Sequence, residues 1–235
     1  MAEFTGDVTK DITLLVGSCD DYSCLWDNFK TLEEKYIDLP ESPKVVFTES
    51  LDFGKGYTMS HSQDPHWSNR LSEALDKVTT EYVFFVLEDY YFTKEITSAD
   101  FKGITKVMKE FELDKFMFVT EITSYAVAPL STPLTSLSMK GEYYLQHPSS
   151  MYLTSVQPAV WKTSYLKECV QKNWTPWEFE IDGSRLRAGK PQTNILFLTD
   201  TFYFNAVRKG LKISPGWEEV KEKENLSDIV TPKEL

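Results

Sequence analysis

The first part of the chain alternates short apolar runs with segments of helical spacing. Residues 11–17 (DITLLVG), 43–50 (PKVVFTES) and 82–89 (YVFFVLED) are mainly apolar, which is typical of strands covered on both faces. Residues 22–36 and 67–78 place apolar side chains three or four positions apart and predict two helices. The order strand, helix, strand, helix, strand predicts a parallel sheet with crossover helices.

The remaining segments show mixed patterns. The glycine-bearing segment between the second strand and the second helix, residues 51–66, is expected to form a loop. The later elements predicted from the sequence are a helix near residues 100–111, a strand at 115–122, a long loop at 124–141, an antiparallel strand pair at 142–147 and 152–161, and a strand at 194–198.

Composition and charge exclude several classes of protein. A net charge of −11 leaves no surplus of lysine and arginine to neutralise a nucleic-acid backbone, so no nucleic-acid partner is expected. The sequence has no apolar run of about 18 residues, so no transmembrane segment is predicted, and its acidic beginning lacks the pattern of a secretory signal. Three cysteines without a CxxC pair predict neither a disulfide framework nor a zinc site, and fit a reducing cytoplasm.

Acidic side chains follow each of the three early apolar runs. Asp20 and Asp21 come after the first run, Glu49 ends the second, and Glu88 and Asp89 end the third. An ionised carboxylate is costly to bury without a partner, so these acids either meet water where a strand leaves the core or line a cleft. The carboxyl ends of parallel strands share one edge of the sheet, where α/β proteins bind ligands. The coincidence of three acidic strand ends favours a cleft.

The sequence lacks the common phosphate-binding and nucleophile motifs. Neither GxGxxG after the first strand, nor GxxxxGK[ST], nor GxSxG occurs. The histidines, His61, His66 and His147, lie in loop-like surroundings, where solvent exposure explains each of them.

Three segments carry a resemblance to a known family. They are ITLLVGSCDDY, WSNRLSEALDKVTTEYVFFVLEDYYF and SVQPAVWKTSYLKECVQKNWTPWEFEIDGS, and the most specific part is QPAVW followed by PWEFE. The chain resembles, from about residue 11 to about residue 210, the small bacterial GT-A-like glycosyltransferases that build cell-surface polysaccharides. The resemblance implies one α/β domain over residues 1–235, with a mostly parallel central sheet flanked by helices and a mixed C-terminal half.

The resemblance also divides this domain by function. Residues 11–92 correspond to the nucleotide-binding half and residues 93–215 to the acceptor-facing half. Residues 216–235 form a charged tail, which we expect to be an exposed helix or a frayed end.

In that family an acidic DxD motif after the central strand contacts the ribose and diphosphate of a nucleotide-sugar, commonly through Mn²⁺ or Mg²⁺. Here the triplet is Glu88, Asp89 and Tyr90, so the third acidic position is absent. Asp89 is the main candidate for metal or ribose contact, with Glu88 beside it. Adjacent strand residues point to opposite faces, so both bind one ion only where the strand has already turned into a loop. The basic side chains that are alternatives to a metal are Arg70, Arg185, Arg187 and Lys190.

The resemblance assigns further donor and acceptor residues. Asp20 or Asp21 corresponds to the position that holds the nucleotide base, although capping of the following helix explains either residue equally well. Gln157 is a candidate for a sugar hydroxyl, with a buried hydrogen bond to the backbone as the alternative. The other acceptor candidates are the aromatic residues Trp161, Trp174 and Trp177. The segment containing Asn205, Val207, Arg208 and Gly210 resembles the closing segment near the acceptor.

The acids of residues 173–184 are the candidates for a catalytic base. A carboxylate within hydrogen-bond reach can accept the proton of an attacking acceptor hydroxyl. We rank Glu180 and Glu178 ahead of Asp182; all three share one face if the segment is extended, whereas a helix aligns only Glu178 with Asp182. The alternative is a helix that begins at Pro176, where acids interact with the positive end of the dipole and the tryptophans are core.

The expected function is transfer of a sugar from a nucleotide-sugar to a glycan or lipid-linked glycan, with inversion at the anomeric carbon. The expected location is the cytoplasm or, by peripheral association, the inner face of the membrane. A non-catalytic protein that binds nucleotide-sugars or carbohydrates is the alternative. A nucleotidyltransferase ranks lower, because such enzymes need a basic glycine-rich loop where this chain has SCDDYS.

Overall fold

The computed structural model describes residues 8–130, 134, 136–199, 202–208 and 212–230. Nine strands form one central sheet, and four more form two small two-stranded sheets. The thirteen strands are β1 (Ile12–Gly17), β2 (Lys44–Thr48), β3 (Thr58–His61), β4 (Tyr82–Leu87), β5 (Tyr90–Phe92), β6 (Lys115–Val119), β7 (Val127–Pro129), β8 (Glu142–Gln146), β9 (Ala159–Lys162), β10 (Asn194–Leu198), β11 (Tyr203–Asn205), β12 (Val207–Arg208) and β13 (Lys212–Ile213).

The central sheet has the strand order β3, β2, β1, β4, β9, β6, β10, β8, β7. Within it, β8 and β9 run antiparallel to their neighbours, and the other strands run in one direction. The sheet is therefore mostly parallel, and its mixed part lies in the second half of the chain. In the small sheets, β5 pairs with β11 and β12 with β13.

Helices cover both faces of the central sheet. They are α1 (Trp26–Tyr36), α2 (Trp67–Leu75), α3 (Ser98–Glu110), α4 (Thr163–Cys169), α5 (Pro176–Arg187) and α6 (Trp217–Glu224). Successive residues of a strand point to opposite faces, so Leu14 packs in a core with side chains of α1 and α3, whereas Leu15 packs in a second core with side chains of α2, α4 and α5. Burial on both faces explains why β1 and β4 read as continuous apolar runs.

The sequence patterns predicted most of these elements, and three expectations were wrong. β3 is an edge strand within the expected loop at 51–66, and β7 lies within the expected loop at 124–141. The expected pairing of 142–147 with 152–161 does not form: β8 pairs with β7 and β10, whereas β9 is inserted between β4 and β6. A short strand that is buried on both faces shows no alternation of polar and apolar residues, so the sequence does not identify the strands with which it pairs.

The charged tail is helical and packed against the domain where the structure describes it. Trp217 is buried against the ring of Tyr91, and the Glu224 carboxylate accepts hydrogen bonds from Lys35 Nζ (2.6 Å) and Tyr36 Oη (2.9 Å). The tail therefore contains the expected helix, at residues 217–224, although two residues of that helix are buried. Residues 231–235 lie outside the described part, and the functional division of the chain stays a prediction.

None of the helices in the described residues has the length and apolar character needed to cross a membrane.

Candidate active site

A groove of about 450 Å³ opens at the carboxyl ends of β1 and β4. Its floor is formed by the residues that follow these strands, with Ser18, Cys19 and Tyr22 after β1 and Glu88 and Asp89 after β4. The first turns of α2 and α5 and the β11–β12 segment form its walls. The groove therefore lies where open α/β sheets bind ligands.

Close packing at Gly17 lets the two strand ends approach each other. A Cβ atom at this position would lie 2.8 Å from Leu87 Cδ2 and 2.9 Å from Phe47 Cζ. Beyond the glycine, Trp26 Nε1 donates a 2.7 Å hydrogen bond to Ser18 Oγ, which fixes the turn into the following 3-10 helix, Asp20–Leu25. These contacts determine the position of the floor beneath the groove.

Glu88 and Asp89 lie in the turn between β4 and β5, so neither is constrained to alternate strand faces, and both line the groove. Burial, followed by the neighbouring Asp89 charge, raises the pKa of Glu88 well above its usual value. Burial also raises the pKa of Asp89 to about 7. The Asp89 backbone oxygen accepts a 2.8 Å hydrogen bond from Ala206 N. Its Oδ1 atom is buried and has no hydrogen-bond partner among the described residues.

Glu180 reaches the same groove from α5. Its Oε1 atom accepts hydrogen bonds from Val156 N (3.0 Å) and Ser155 Oγ (2.9 Å), whereas Oε2 accepts none from the residues that the structure describes. Burial raises the pKa of Glu180, although these two hydrogen bonds oppose the shift. One carboxylate oxygen is therefore fixed in place and the other is available to a ligand.

The position of α5 depends on a glycine. A Cβ atom at Gly183 would lie 2.6 Å from Thr154 Oγ1, so the helix packs closely against the 152–156 segment only because this side chain is absent. Thr154 Oγ1 in turn donates a 2.6 Å hydrogen bond to the Phe179 backbone oxygen. The segment that fixes the Glu180 carboxylate is thus attached to the same helix.

The other two acids of the expected base segment do not line the groove, and they contact residues of α5 and its cap. Glu178 forms a capping box with Thr175, whose backbone nitrogen lies 2.7 Å from Glu178 Oε2, and these hydrogen bonds lower the pKa of Glu178. Asp182 forms a 2.7 Å ion pair with Arg185. The helix begins with Pro176 in its first turn, as the alternative interpretation predicts. Neither Glu178 nor Asp182 lines the groove, so the geometry does not support either of them as the base.

Arg70 is the buried cation of the groove. It forms an ion pair with Glu49 through Nη1, and its Nε atom is buried without a hydrogen-bond partner among the described residues. Glu49 Oε2 also accepts a 2.6 Å hydrogen bond from Asp20 N. The acid after β2 therefore holds the arginine in place rather than facing the ligand itself.

Asp20 and Asp21 do not line the groove, so their assignment to the nucleotide base has no support in the geometry. Asp20 accepts hydrogen bonds from the backbone nitrogens of Ser50 and Leu51, at 3.1 Å each. Burial raises the pKa of Asp20, but hydrogen bonds from the Ser50 hydroxyl and from the backbone outweigh that effect and lower the pKa overall. Asp21 is exposed. Neither residue caps a helix, because the 3-10 helix begins after Cys19 without a side-chain cap.

Of the expected acceptor residues, only Trp177 lines the groove, with 55% of its surface exposed. Trp161 is fully buried on β9 and stacks on Tyr165, so the geometry does not support its assignment as an acceptor residue. Trp174 is half-buried and packs beside Gly183. Gln157 accepts a 3.2 Å hydrogen bond from Tyr203 Oη and lies outside the groove.

The remaining basic candidates are outside the groove, and a different arginine lines it. Arg185 pairs with Asp182, Arg187 is buried beside Glu168, and Lys190 is exposed. Arg208 lines the groove and is exposed. The sequence indicated Arg208 only through its position in the segment FNAVRKG.

The same closing segment contributes other groove residues. Asn205 and Val207 line the groove, and Asn205 Oδ1 is buried without a hydrogen-bond partner among the described residues. Gly210 lies outside the described residues. Among the residues that the sequence did not indicate, Ser155 and Val156 hold Glu180 in position through contacts that no sequence pattern encodes.

The acids of the groove fit one mode of divalent-cation binding. In the described part of the chain, no group of three or more histidine, cysteine or acidic side chains is arranged to hold an ion alone. Mg²⁺ and similar ions, however, commonly use one or two carboxylates and complete their shell with phosphate oxygens and water. The unpartnered Asp89 Oδ1, with Glu88 beside it, supplies that smaller ligand set.

No protein-family model matches the sequence, and the curated protein sequences contain no significant match. Similarity to solved structures is clear at the level of fold. The structure of S. aureus TarS 1–349 in complex with UDP-GlcNAc superposes with a TM-score of 0.52 at 16% identity, covering 91% of this chain and 65% of that one. Another structure of TarS 1–349 is covered over 59% of its length, so this chain spans less than two thirds of these relatives.

Two further structures share the fold at 11% identity. One is the mannosyltransferase PcManGT from Pyrobaculum calidifontis in complex with GDP-Man and Mn²⁺, with a TM-score of 0.52, covering 86% of this chain and 58% of that one. The other is CMP:2-keto-3-deoxy-manno-octonic acid synthetase complexed with CTP, with a TM-score of 0.51, covering 92% of this chain and 98% of that one. The chain thus has a GT-A-like α/β fold.

Proposed function

We propose that this protein is a glycosyltransferase that moves a sugar from a nucleotide-sugar donor to a glycan or lipid-linked glycan acceptor. The observation that carries the proposal is the shared groove, in which Asp89 after β4 and Glu180 on α5 each present a carboxylate oxygen that has no hydrogen bond to the described residues. The similarity in fold to structures with bound UDP-GlcNAc or GDP-Man supports the class of donor. We place the reaction on the cytoplasmic side of the membrane.

The donor binds along the floor between the ends of β1 and β4. Its diphosphate lies near Arg70 and Arg208, the two basic side chains that line the groove, and the ribose lies near Asp89. Trp177 offers an exposed aromatic face to a sugar ring. A Mn²⁺ or Mg²⁺ ion held by Asp89 and Glu88 would neutralise charge that develops on the departing diphosphate.

Glu180 acts as the general base. An acceptor hydroxyl gives its proton to Glu180 Oε2 while its oxygen forms a bond to the anomeric carbon. The bond from that carbon to the diphosphate oxygen breaks, and its electron pair leaves with the nucleoside diphosphate. Attack opposite the leaving group inverts the anomeric configuration, which NMR of the product would establish. The raised pKa of Glu180 suits a group that must accept a proton.

The test compares Asp89→Asn and Glu180→Gln with Asp182→Asn as the matched control on α5. Binding of UDP-GlcNAc and GDP-mannose is measured by calorimetry, and sugar release or transfer by product analysis. Asp89→Asn should weaken donor binding. Glu180→Gln should retain it and lower turnover about a hundredfold or more, because a general base contributes at least that factor. Asp182→Asn should behave like the wild type, and circular dichroism should be native throughout.

Two results would contradict the proposal. Full turnover in Asp89→Asn and Glu180→Gln would show that Asp89 does not bind the donor and that Glu180 is not the base. A wild-type protein that binds a donor without hydrolysing or transferring it would be a nucleotide-sugar-binding protein, the alternative without catalysis.

A nucleotidyltransferase is the second candidate, because the chain covers 98% of the CMP:2-keto-3-deoxy-manno-octonic acid synthetase structure. Against it, the segment after β1 carries Asp20 and Asp21 and no basic side chain. Incubation with a nucleoside triphosphate and either a sugar or a sugar 1-phosphate distinguishes the nucleotidyltransferase from the glycosyltransferase. Release of pyrophosphate would establish the nucleotidyltransferase, and its absence alongside turnover of a nucleotide-sugar would exclude it.

A further inference from the structure

A second cavity, of about 330 Å³, has Glu180 in common with the groove. The 149–152 segment forms one wall, and residues of α5 that include Ile181 and Arg185 form the other. We call it the Met151 cavity, after the residue that is most exposed there, at 59%. None of the residues expected from the sequence to bind an acceptor lines it.

Glu180 lines both the groove and the Met151 cavity. Its Oε1 atom is fixed by hydrogen bonds from Val156 and Ser155, so the position of the carboxylate is set. A transfer reaction needs a donor and an acceptor whose hydroxyl lies within hydrogen-bond reach of the base while its oxygen attacks the donor. The proposed donor occupies the groove, and the Met151 cavity is a second space that is lined by the same residue, Glu180.

The cavity wall is held in an unusual backbone conformation. Tyr152 has a φ of 57°, in the left-handed region that a tyrosine adopts only at an energetic cost. Its carbonyl oxygen accepts hydrogen bonds from Gln146 Nε2 (3.1 Å) and from the fully buried Lys115 Nζ (3.3 Å). Two buried donors thus maintain the conformation that places Met151 and Tyr152 on the cavity wall.

The side chains that line the Met151 cavity indicate which kind of ligand it binds. Met151 and Ile181 present exposed apolar surface, while Tyr152 adds an aromatic ring whose hydroxyl bonds to none of the described residues. The one cation of the wall, Arg185, is already paired with Asp182. These groups suit an uncharged sugar with an apolar substituent, because the ring and hydroxyl bind the sugar and the aliphatic side chains bind the substituent.

We propose that the Met151 cavity is the acceptor site, and that it binds an uncharged pyranoside with an alkyl aglycone and directs one sugar hydroxyl to Glu180 Oε2. This rests on the proposed function of Glu180 as the base. In the transfer step the hydroxyl proton passes to Glu180, and the oxygen bonds to the anomeric carbon as the diphosphate departs with the electron pair.

The test is a pair of tryptophan substitutions on α5. Ile181 lines the Met151 cavity and Leu186 does not, yet the two side chains are similarly exposed, at 44% and 50%. Octyl β-D-glucopyranoside is the acceptor probe, with UDP-GlcNAc and GDP-mannose as donors. Binding of the probe is followed by saturation-transfer NMR, and transfer by product analysis.

Ile181→Trp should weaken probe binding and raise its KM by about tenfold or more, since the indole occupies the cavity. The donor dissociation constant should change by less than about twofold, because surface substitutions away from a site have small effects. Leu186→Trp should match the wild type in every measurement. Equal probe binding in all three proteins, or no binding of the probe to the wild type, would overturn the acceptor assignment.

Failure of the proposed function gives a different result. If the wild type binds neither donor, the groove assignment fails, while NMR of the probe against wild type and Ile181→Trp still decides whether the Met151 cavity binds an alkyl pyranoside.

Discussion

Lys115 Nζ donates a 2.7 Å hydrogen bond to the carbonyl oxygen of Leu153, and the lysine side chain is fully buried. Leu153 belongs to the same segment as Ser155 and Val156, which hold the Glu180 carboxylate. The lysine also lies over the Trp161 ring, with Nζ 4.9 Å from the ring centroid. A buried amine therefore supports the segment that positions the proposed base.

We predict that Lys115 makes the stability of the protein depend on pH. Burial lowers the pKa of Lys115 to about 7, although Cys169 and Glu180 oppose this shift. Between about pH 7 and 10.5 the unfolded chain then binds more protons than the folded chain, so the free energy of unfolding rises with pH in this window. One proton contributes at most about 1.4 kcal/mol per pH unit.

The variant Lys115→Met isolates this effect. Urea unfolding at pH 7 and pH 9 should show that the wild type gains stability relative to the variant as the pH rises. A difference between the two proteins that stays constant from pH 7 to 9 would mean that Lys115 carries the same charge in the folded and unfolded states.

Thr175 should stabilise α5 through its cap. Its hydroxyl accepts a 3.3 Å hydrogen bond from Glu178 N, in a capping box. Thr175→Ala should lower the free energy of unfolding by about 1 kcal/mol, the usual contribution of such a cap. Thr175→Ser keeps the hydroxyl and should be close to the wild type in denaturant unfolding. Equal stability of the alanine and serine variants would show that the cap contributes nothing.

Substitutions of Asp20 and Asp21 should have different effects on the free energy of unfolding, although the two residues are adjacent in sequence. Asp20 connects the segment after β1 to the backbone at Ser50 and Leu51, whereas Asp21 is exposed. Asp20→Ala should cost about 1 kcal/mol, since partly exposed hydrogen bonds are lost, and Asp21→Ala should cost little. Chemical denaturation of both variants measures the difference. A larger loss of stability in Asp21→Ala would contradict the structural role of Asp20, and a loss of nucleotide binding confined to Asp21→Ala would support Asp21 as the residue that binds the nucleotide base.

The parallel half of the fold was predictable because its signals are local. The runs that became β1, β2 and β4 are buried on both faces, and α1 and α2 show apolar spacing that requires no knowledge of the rest of the chain. The pairing of β9 between β4 and β6 was not predictable, because a run of four residues carries no information about its neighbours.

The position of the groove was predictable where acidic residues follow the ends of strands. Asp89 was identified because it follows the central strand, and Glu180 because it belongs to an acid-rich segment. The sequence could not rank Glu180 above Glu178, since that choice depends on helix phase and on the capping box. The sequence could not show that Trp161 is buried, because the exposure of a side chain is a property of the folded chain.

Asp89 should make the binding of a divalent cation depend on pH. Its pKa is raised by burial from the usual 3.8 to about 7, so a proton competes with a cation for the carboxylate below that pH. In the presence of UDP, the dissociation constant of Mn²⁺, measured by water proton relaxation, should rise by up to about tenfold per pH unit below about pH 7. The slope should decrease above that pH, where Asp89 is ionised; burial and the Asp89 charge also raise the pKa of Glu88, which contributes any slope that remains. Asp89→Asn, which cannot ionise, should bind Mn²⁺ weakly and with a smaller slope, and pH-independent binding by the wild type would exclude Asp89 as the ligand.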